Sequence, residues 1–419
     1  MRIEDFITRI ARKQNARYLR FSPEASLVLP PPTQGVPLLL YLHVPFCQEL
    51  CPYCSFNRIV FQEPLARAYF AALRSEISLY RDRGYRFSSL YVGGGTPTIL
   101  MDELAATLEH AAASFSLTEI SVETNPNHLT EGNLSILKDL GVNRLSVGVQ
   151  SFDDDLLRAM ERYHKYGSGS EIVQRLAASL GRFDTLNVDM IFNFPLQTQA
   201  SLERDLGILT DLQVDQLTYY PLMSAVSTRE KIKTKLGGTV DYHREKQFYQ
   251  TIIRHLAADY QPSTAWCFSR NASMIDEYVV NFDEYAGLGS GSLGYLGGSA
   301  YANTFGIQDY IDQVKSGRLP LAAKRDFSLR DRMRYDFLMK LFGLRLDLAD
   351  LEKKWRVPAH LGLLPELLFF FAIGGLRKEG KVLSLTPRGQ YYWVIMMREF
   401  FIAVNNFRDY CRADLKKQP

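Results

Sequence analysis

Cys47, Cys51 and Cys54 place three of the chain's five cysteines within eight residues, in the stretch LYLHVPFCQELCPYCSF that runs from Leu40 to Phe56. Their C-x3-C-x2-C spacing offers three kinds of chemistry: a disulfide, a structural zinc site or an iron–sulfur cluster. Disulfide frameworks belong to small secreted domains, and 419 residues without an export signal do not fit that class. Structural zinc wants four closed ligands, and His43, four residues before Cys47, would complete a Cys3His set. Thiolates are the soft ligands that iron–sulfur centres require, and three in one short loop can wrap a cuboidal cluster. Such a cluster keeps one iron free of protein ligands, and that iron is a chemical site. Read alone, the spacing ranks the cluster first and leaves zinc open.

The loop must be positioned by something, and the sequence around it is periodic. Short β-rich runs recur at 36–44, 88–95, 118–124, 144–150, 186–192 and 215–222, each followed by helical periodicity. In the first intervening segment Leu65, Tyr69, Ala72, Ile77 and Leu79 form an apolar stripe that Gly84 closes. Strand and helix in alternation mean βαβ units, a parallel sheet and right-handed crossovers. In parallel architectures ligands gather at the carboxyl ends of strands. Here those ends carry His43 and the cysteines, then Gly93, Gly94, Gly95 and Thr96, then Glu123, then Gln150, while the fifth strand carries Asp189. Polar groups from so many strands at one rim predict a curved sheet around a single site. The expected fold is therefore α/β, a partial (β/α)6 TIM-like barrel.

The remainder divides by composition. Residues 1–35 read as an N-terminal extension with an amphipathic surface helix, 36–225 as the barrel, 226–318 as a barrel-completing and lid segment, and 319–419 as a helical module. That module ends in a helix, a short hairpin and a final amphipathic helix, a winged-helix-like order. A net charge of +3 from 49 basic and 46 acidic residues gives no field that advertises nucleic acid, so a packing or substrate-covering role is expected of it. The longest apolar block, 361–376, is broken by Pro365 and Glu366 and falls short of a bilayer span. A reducing cytoplasm fits the cysteine usage. GLGSGSLGYLGG, from Gly287, contains G-x-G-x-G but follows no complete βαβ unit, and is expected to close a cofactor or substrate pocket instead of binding a dinucleotide.

CQELCPYC behind the first strand resembles the cluster motif of the radical S-adenosylmethionine superfamily, and YLHVPFC, YVGGGTPT, VETNPNHLT, NRLSVGVQSF and NVDMIFNFPLQT are similar to segments of its oxygen-independent coproporphyrinogen III oxidase-like and heme chaperone-like subfamily. The resemblance is close over residues 36–225 and looser beyond 241. It implies a [4Fe–4S] cluster on Cys47, Cys51 and Cys54, with S-adenosylmethionine filling the open iron. It further implies Tyr53 near the adenine, Tyr41 near the sulfonium, the Gly93–Gly95 turn and Thr96 at the methionyl amino group, and Glu123 in contact with the cofactor. Gln150 and Asp189 suit ribose hydroxyls or an amino group. Arg162 is the implied partner of the methionyl carboxylate, with Arg158 or Arg144 as alternatives. An electron donor such as flavodoxin or ferredoxin and a tetrapyrrole substrate follow from the same resemblance.

Two departures bear on the reaction. The decarboxylases carry Gly-Cys after the third cluster cysteine, where Ser55 and Phe56 stand here. The heme chaperones carry His-Asn-x-x-Tyr-Trp, where this chain has Arg270-Asn271 and then Met274-Ile275; Cys267 is a candidate replacement ligand, with a buried apolar cysteine as the alternative. Arg270, Arg377, Lys378, Lys381 and Arg398 are candidate partners for tetrapyrrole propionates. Two classes of function therefore stand: a radical enzyme, and a non-catalytic heme carrier of the same fold.

Overall fold

The computed structural model describes residues 2–19, 21, 27–33, 35–271 and 278–415. All six expected strands are present. After β1 (Leu38–Val44) the cysteine loop contains a small parallel pair, β2 (Phe46–Cys47) with β3 (Ile59–Val60). There follow β4 (Ser89–Gly94), β5 (Glu119–Thr124), β6 (Arg144–Gln150), β7 (Thr185–Phe192) and β8 (Gln216–Pro221). Apart from the small pair, these strands lie side by side in chain order, all parallel.

Parallel strands covered on both faces read as continuous apolar runs. β5 to β8 alternate instead, and the alternation separates a packed outer face from a polar inner one. Leu40, Leu42, Val92, Val122, Val147, Val188 and Leu217 belong to the main core, which the crossover helices such as Glu63–Asp82 and Met101–Ser114 complete. The inner residues bond across strands. Arg144 donates to Gln216 Oε1 (2.8 and 3.0 Å) and to Ser121 Oγ (3.0 Å). Ser146 Oγ donates to Asp189 Oδ2 (2.8 Å), and Thr218 Oγ1 donates to Asn187 Oδ1 (3.0 Å).

Beyond β8, the antiparallel strands β9 (Gln261–Pro262) and β10 (Cys267–Ser269) extend the sheet. On its other flank β11 (Glu284–Leu288) runs parallel to β1, and β12 (Leu293–Leu296), β13 (Ser299–Asn303) and β14 (Leu321–Asp326) follow antiparallel, making twelve strands. The seventh parallel strand, β11, hides in the glycine-rich stretch because close packing, not apolar pattern, defines it: a Cβ on Gly287 would lie 2.0 Å from the Leu293 carbonyl oxygen. β14 belongs to the large sheet, so the sheet continues past residue 319.

The C-terminal region is mainly helical. Leu329–Phe342, β15 (Arg345–Asp347), Leu348–Trp355, Ala359–Ala372 and the hairpin of β16 (Leu376–Glu379) with β17 (Val382–Leu385) follow winged-helix order. The final helix, Pro387–Leu415, runs 29 residues. The N-terminal helix Ile3–Tyr18 docks on it through the Arg12–Glu399 ion pair (2.6 Å). No described helix is long and apolar enough to cross a membrane.

Candidate active site

β1 delivers the thiol loop, and His43 at its end ties that loop down. The imidazole Nε2 bonds the Asn57 carbonyl (2.7 Å), which requires the proton on that nitrogen, and Nδ1 accepts from Tyr41 Oη (3.0 Å). Burial holds His43 down at about 4, so it is neutral. Both nitrogens are engaged, which removes His43 as a zinc ligand. Among the described residues no three His, Cys, Asp or Glu side chains converge as a single ion would need. A cuboidal cluster binds each thiolate at a different iron and does not require that convergence.

Cations surround the loop. Arg58 Nη2 donates to the carbonyls of Cys51 and Cys54, both at 2.6 Å. Arg162 Nη1 and Lys165 Nζ each lie 3.8 Å from Cys51 Sγ. Burial pushes the Cys51 thiol up, but Arg162, Lys165 and Arg58 outweigh it, and the group sits below the ordinary thiol range. Burial, with Cys54 adding to it, raises Cys47 to about 11 despite Arg58.

Arg162 is 4% exposed, stands over the Tyr166 ring (4.3 Å), and bonds the Gly148 carbonyl and Tyr53 Oη (3.4 Å). It has no carboxylate partner among the described residues, and its Nε is buried without a hydrogen bond. The backbone around it is strained: Gln150 at the end of β6 (φ 78°), Glu161 just before Arg162 (φ 57°) and Asn193 just past β7 (φ 73°) adopt left-handed backbone, and the β6–β7 register shifts between Gly148 and Gln150.

The glycine turn after β4 is filled by the chain itself. A Cβ on Gly93 would meet Glu123 Oε1 at 2.6 Å, on Gly94 His43 Cε1 at 2.7 Å, and on Gly95 the Phe46 carbonyl oxygen at 2.6 Å. The three glycines let Glu123 and the thiol loop seat against the strand end. Glu123 accepts from the Gly94 N–H (2.9 Å) and Tyr91 Oη (3.0 Å), and Thr96 Oγ1 reaches Cys47 Sγ at 3.8 Å while accepting from Asn125 (2.9 Å).

Tyr41, Tyr53, Gly93, Gly94, Gly95, Thr96, Glu123, Gln150 and Arg162 therefore gather with the three cysteines at the carboxyl rim; Asp189 lies lower on the inner face of β7. The alternative arginines lie elsewhere. Arg144 opens β6 at the opposite end, and Arg158 is half-exposed against Asp155. Arg398 is a correction: it is 1% exposed and paired with Glu245 and Glu399, so no ligand carboxylate reaches it. Arg377 and Lys381 sit on the C-terminal hairpin beside Glu379 and Glu352, Lys378 is exposed on the same hairpin, and exposed Arg270 donates to the Gln213 carbonyl. Cys267 is buried, its sulfur 3.8 Å from Thr218 Oγ1. Met274 and Ile275 lie outside the described residues.

Several partners carried no sequence signal. Arg58, Asn57 and Lys165 follow the motif at unremarkable positions. Arg412, from the far end of the chain, donates to the carbonyls of Ser55 (3.3 Å) and Phe56 (3.2 Å), and Arg408 stands 5.1 Å above the Phe56 ring. The stretch from Gly287 backs the loop: Asn57 Nδ2 donates to the Ser290 carbonyl (3.0 Å), and buried Glu76 accepts from the Gly289 N–H (2.8 Å).

Comparison with known proteins gives the site a lineage. The radical SAM superfamily profile matches residues 41–207. An oxygen-independent coproporphyrinogen III oxidase from Salmonella typhimurium is 30% identical, the alignment covering 76% of this chain and 75% of that one. The chain belongs to the radical S-adenosylmethionine superfamily, in the coproporphyrinogen III oxidase-like family. The heme chaperone HemW of Bacillus subtilis is 29% identical, over 84% of this chain and 95% of the relative. The coproporphyrinogen III oxidase HemN of Escherichia coli shares the fold, with a TM-score of 0.75 at 24% identity, over 91% of this chain and 95% of that one. A [4Fe–4S] cluster and S-adenosylmethionine are the cofactors of this superfamily, and three thiols among cations beside an unneutralised arginine suit both.

Proposed function

We propose that Cys47, Cys51 and Cys54 hold the cluster and Arg162 receives the carboxylate of S-adenosylmethionine, in a radical enzyme that acts on a tetrapyrrole. The observation that carries this reading is Arg162, a buried cation with an unmet N–H beside Cys51 and no acid of its own among the described residues. A guanidinium in that state suits a two-oxygen anion. When bound, the cofactors supply one-electron cleavage and hydrogen-atom abstraction.

The chain's residues orient and screen. Arg58 and Lys165 offset the negative charge of the thiolates, and Arg58 also holds the turn between Cys51 and Cys54. Glu123 presents a carboxylate to an ammonium at the rim, and Thr96, Gln150 and Asp189 offer hydroxyl, amide and carboxylate partners to the rest of the nucleoside. Tyr53, edge-on to Phe194 (5.5 Å), walls the site, and Tyr41, within β1, steadies His43 behind the loop. Neutral His43 positions the loop and carries no proton in turnover. A small iron–sulfur or flavin protein would supply the electron. The substrate class rests on the relatives, which are named for coproporphyrinogen and heme.

Anaerobic reconstitution followed by an assay for reductant-dependent 5′-deoxyadenosine tests the enzyme reading; a full cluster with no cleavage under reductant would sink it. The second reading, a heme carrier, is favoured by the alignment that spans 95% of the Bacillus chaperone. Stoichiometric heme binding without any change in the mass of heme or coproporphyrinogen would select it.

A further inference from the structure

Four large apolar side chains stand in solvent on one side of the helix Ala359–Ala372: Leu361 is 67% exposed, Leu364 48%, Leu368 61% and Phe371 38%. Steps of three and four residues put them on one face. Leu363 and Phe370, on the other side, are buried in the module. In winged-helix order this is the helix that would enter a DNA groove, yet its exposed face offers no lysine, arginine or amide to a phosphate or a base.

Charge surrounds that face instead of lying on it. Residues 329–390 contain twelve Lys and Arg against seven Asp and Glu, a net +5 in a chain whose total is +3. Lys353 and Arg356 before the helix and Lys378 after it are exposed and have no acidic partner among the described residues. The single acid between them, Glu366, is bound to Arg334 at 2.7 Å. Cations at both ends argue against a second copy, because parallel and antiparallel pairing alike set cation against cation. At 14 residues the helix is about 21 Å long, too short to cross a bilayer and suited to lying in its interface.

We propose that this face docks on an anionic lipid bilayer, with Leu361, Leu364, Leu368 and Phe371 entering the headgroup–acyl boundary and Lys353, Arg356 and Lys378 meeting lipid phosphates. The idea stands apart from the cluster chemistry, and its test needs neither cofactor.

The full-length protein is sedimented with vesicles of phosphatidylcholine alone or mixed with phosphatidylglycerol. The mixed vesicles bind it roughly tenfold or more tightly than the neutral ones, and the difference shrinks as salt rises. Leu364→Asp and Leu368→Asp each weaken binding by roughly tenfold or more with an unchanged unfolding midpoint, since both positions are exposed. Lys378→Glu weakens binding to the mixed vesicles alone. No binding to either vesicle, or binding that ignores both the anionic lipid and the aspartate variants, overturns the proposal. So does a concentration-dependent dimer that Leu368→Asp dissociates, which would give the face to a second copy.

Discussion

Arg162 and Arg398 are both buried arginines, and they differ in what answers their charge. Arg398 lies between the final helix and the helix Tyr242–Leu256, with Glu245 and Glu399 as ion-pair partners and its guanidinium 4.1 Å over the Tyr242 ring. Arg162 lies at the barrel rim with a carbonyl, a phenol and a thiol around it and no carboxylate among the described residues. Burying a cation costs free energy unless an anion offsets it. Where the chain supplies the anion the residue is structural; where no described residue does, an anion from outside is the partner we propose.

Stability gives the largest separation between the two. Arg398→Ala leaves two buried carboxylates facing each other and is expected to cost about 3–5 kcal/mol, read as a fall in the urea midpoint. Arg162→Ala removes a charge that no carboxylate among the described residues balances, and is expected to change stability by about 1 kcal/mol or less. The same substitution weakens S-adenosylmethionine binding to the reconstituted protein by roughly tenfold to a hundredfold, measured by equilibrium dialysis. If Arg162→Ala proves as destabilising as Arg398→Ala and binds the cofactor normally, the contrast is broken.

Glu76 sharpens the comparison from the opposite sign. Its carboxylate is buried among neutral donors, Gly289 N–H, Asn303 and Tyr310 Oη (2.6 Å), and burial raises it to about 7 against those hydrogen bonds. The folded state therefore keeps a proton that the unfolded chain releases in the ordinary carboxylate range. Its contribution is most favourable at low pH and is lost as pH rises toward 7. The stability of Glu76→Gln relative to the parent should accordingly improve from about pH 5 to pH 8; a flat difference would mean Glu76 is charged throughout.

Smaller effects test the loop. In metal-free protein at mildly alkaline pH, Cys51 should be alkylated faster than Cys47, and Lys165→Ala should slow it, because the cations favour the Cys51 thiolate while burial disfavours that of Cys47. Arg412→Ala should cost about 1 kcal/mol or less and appear as faster amide exchange over residues 55–58, with the rest of the barrel unchanged.

Legibility followed locality. The strands declared themselves as short β-rich runs each followed by helical periodicity, and the cysteines through their spacing, because both patterns lie in neighbouring residues. β11 did not, since what makes it a strand is contact with β1 and β12, and its glycines look like a loop. Among the arginines, Arg162 and Arg398 look equally suited to a carboxylate in the sequence, and only their surroundings separate them. The glycine turn reads as room for a close approach, and Glu123, His43 and Phe46 are among what comes close there, because small residues announce close approach without naming everything that approaches.

By itself the sequence determined the alternation of strand and helix, the polar rim and a loop of three thiols whose spacing suits a cluster with an open iron. Tertiary structure alone decided which cations stand beside those thiols, which buried arginine lacks an anion, and that the last helix grips the loop at Ser55 and Phe56 across some 350 residues of chain, with 356 positions separating Arg412 from Phe56. The physical reason is range. Backbone periodicity and ligand spacing are properties of adjacent residues, whereas charge balance depends on neighbours that only packing brings together.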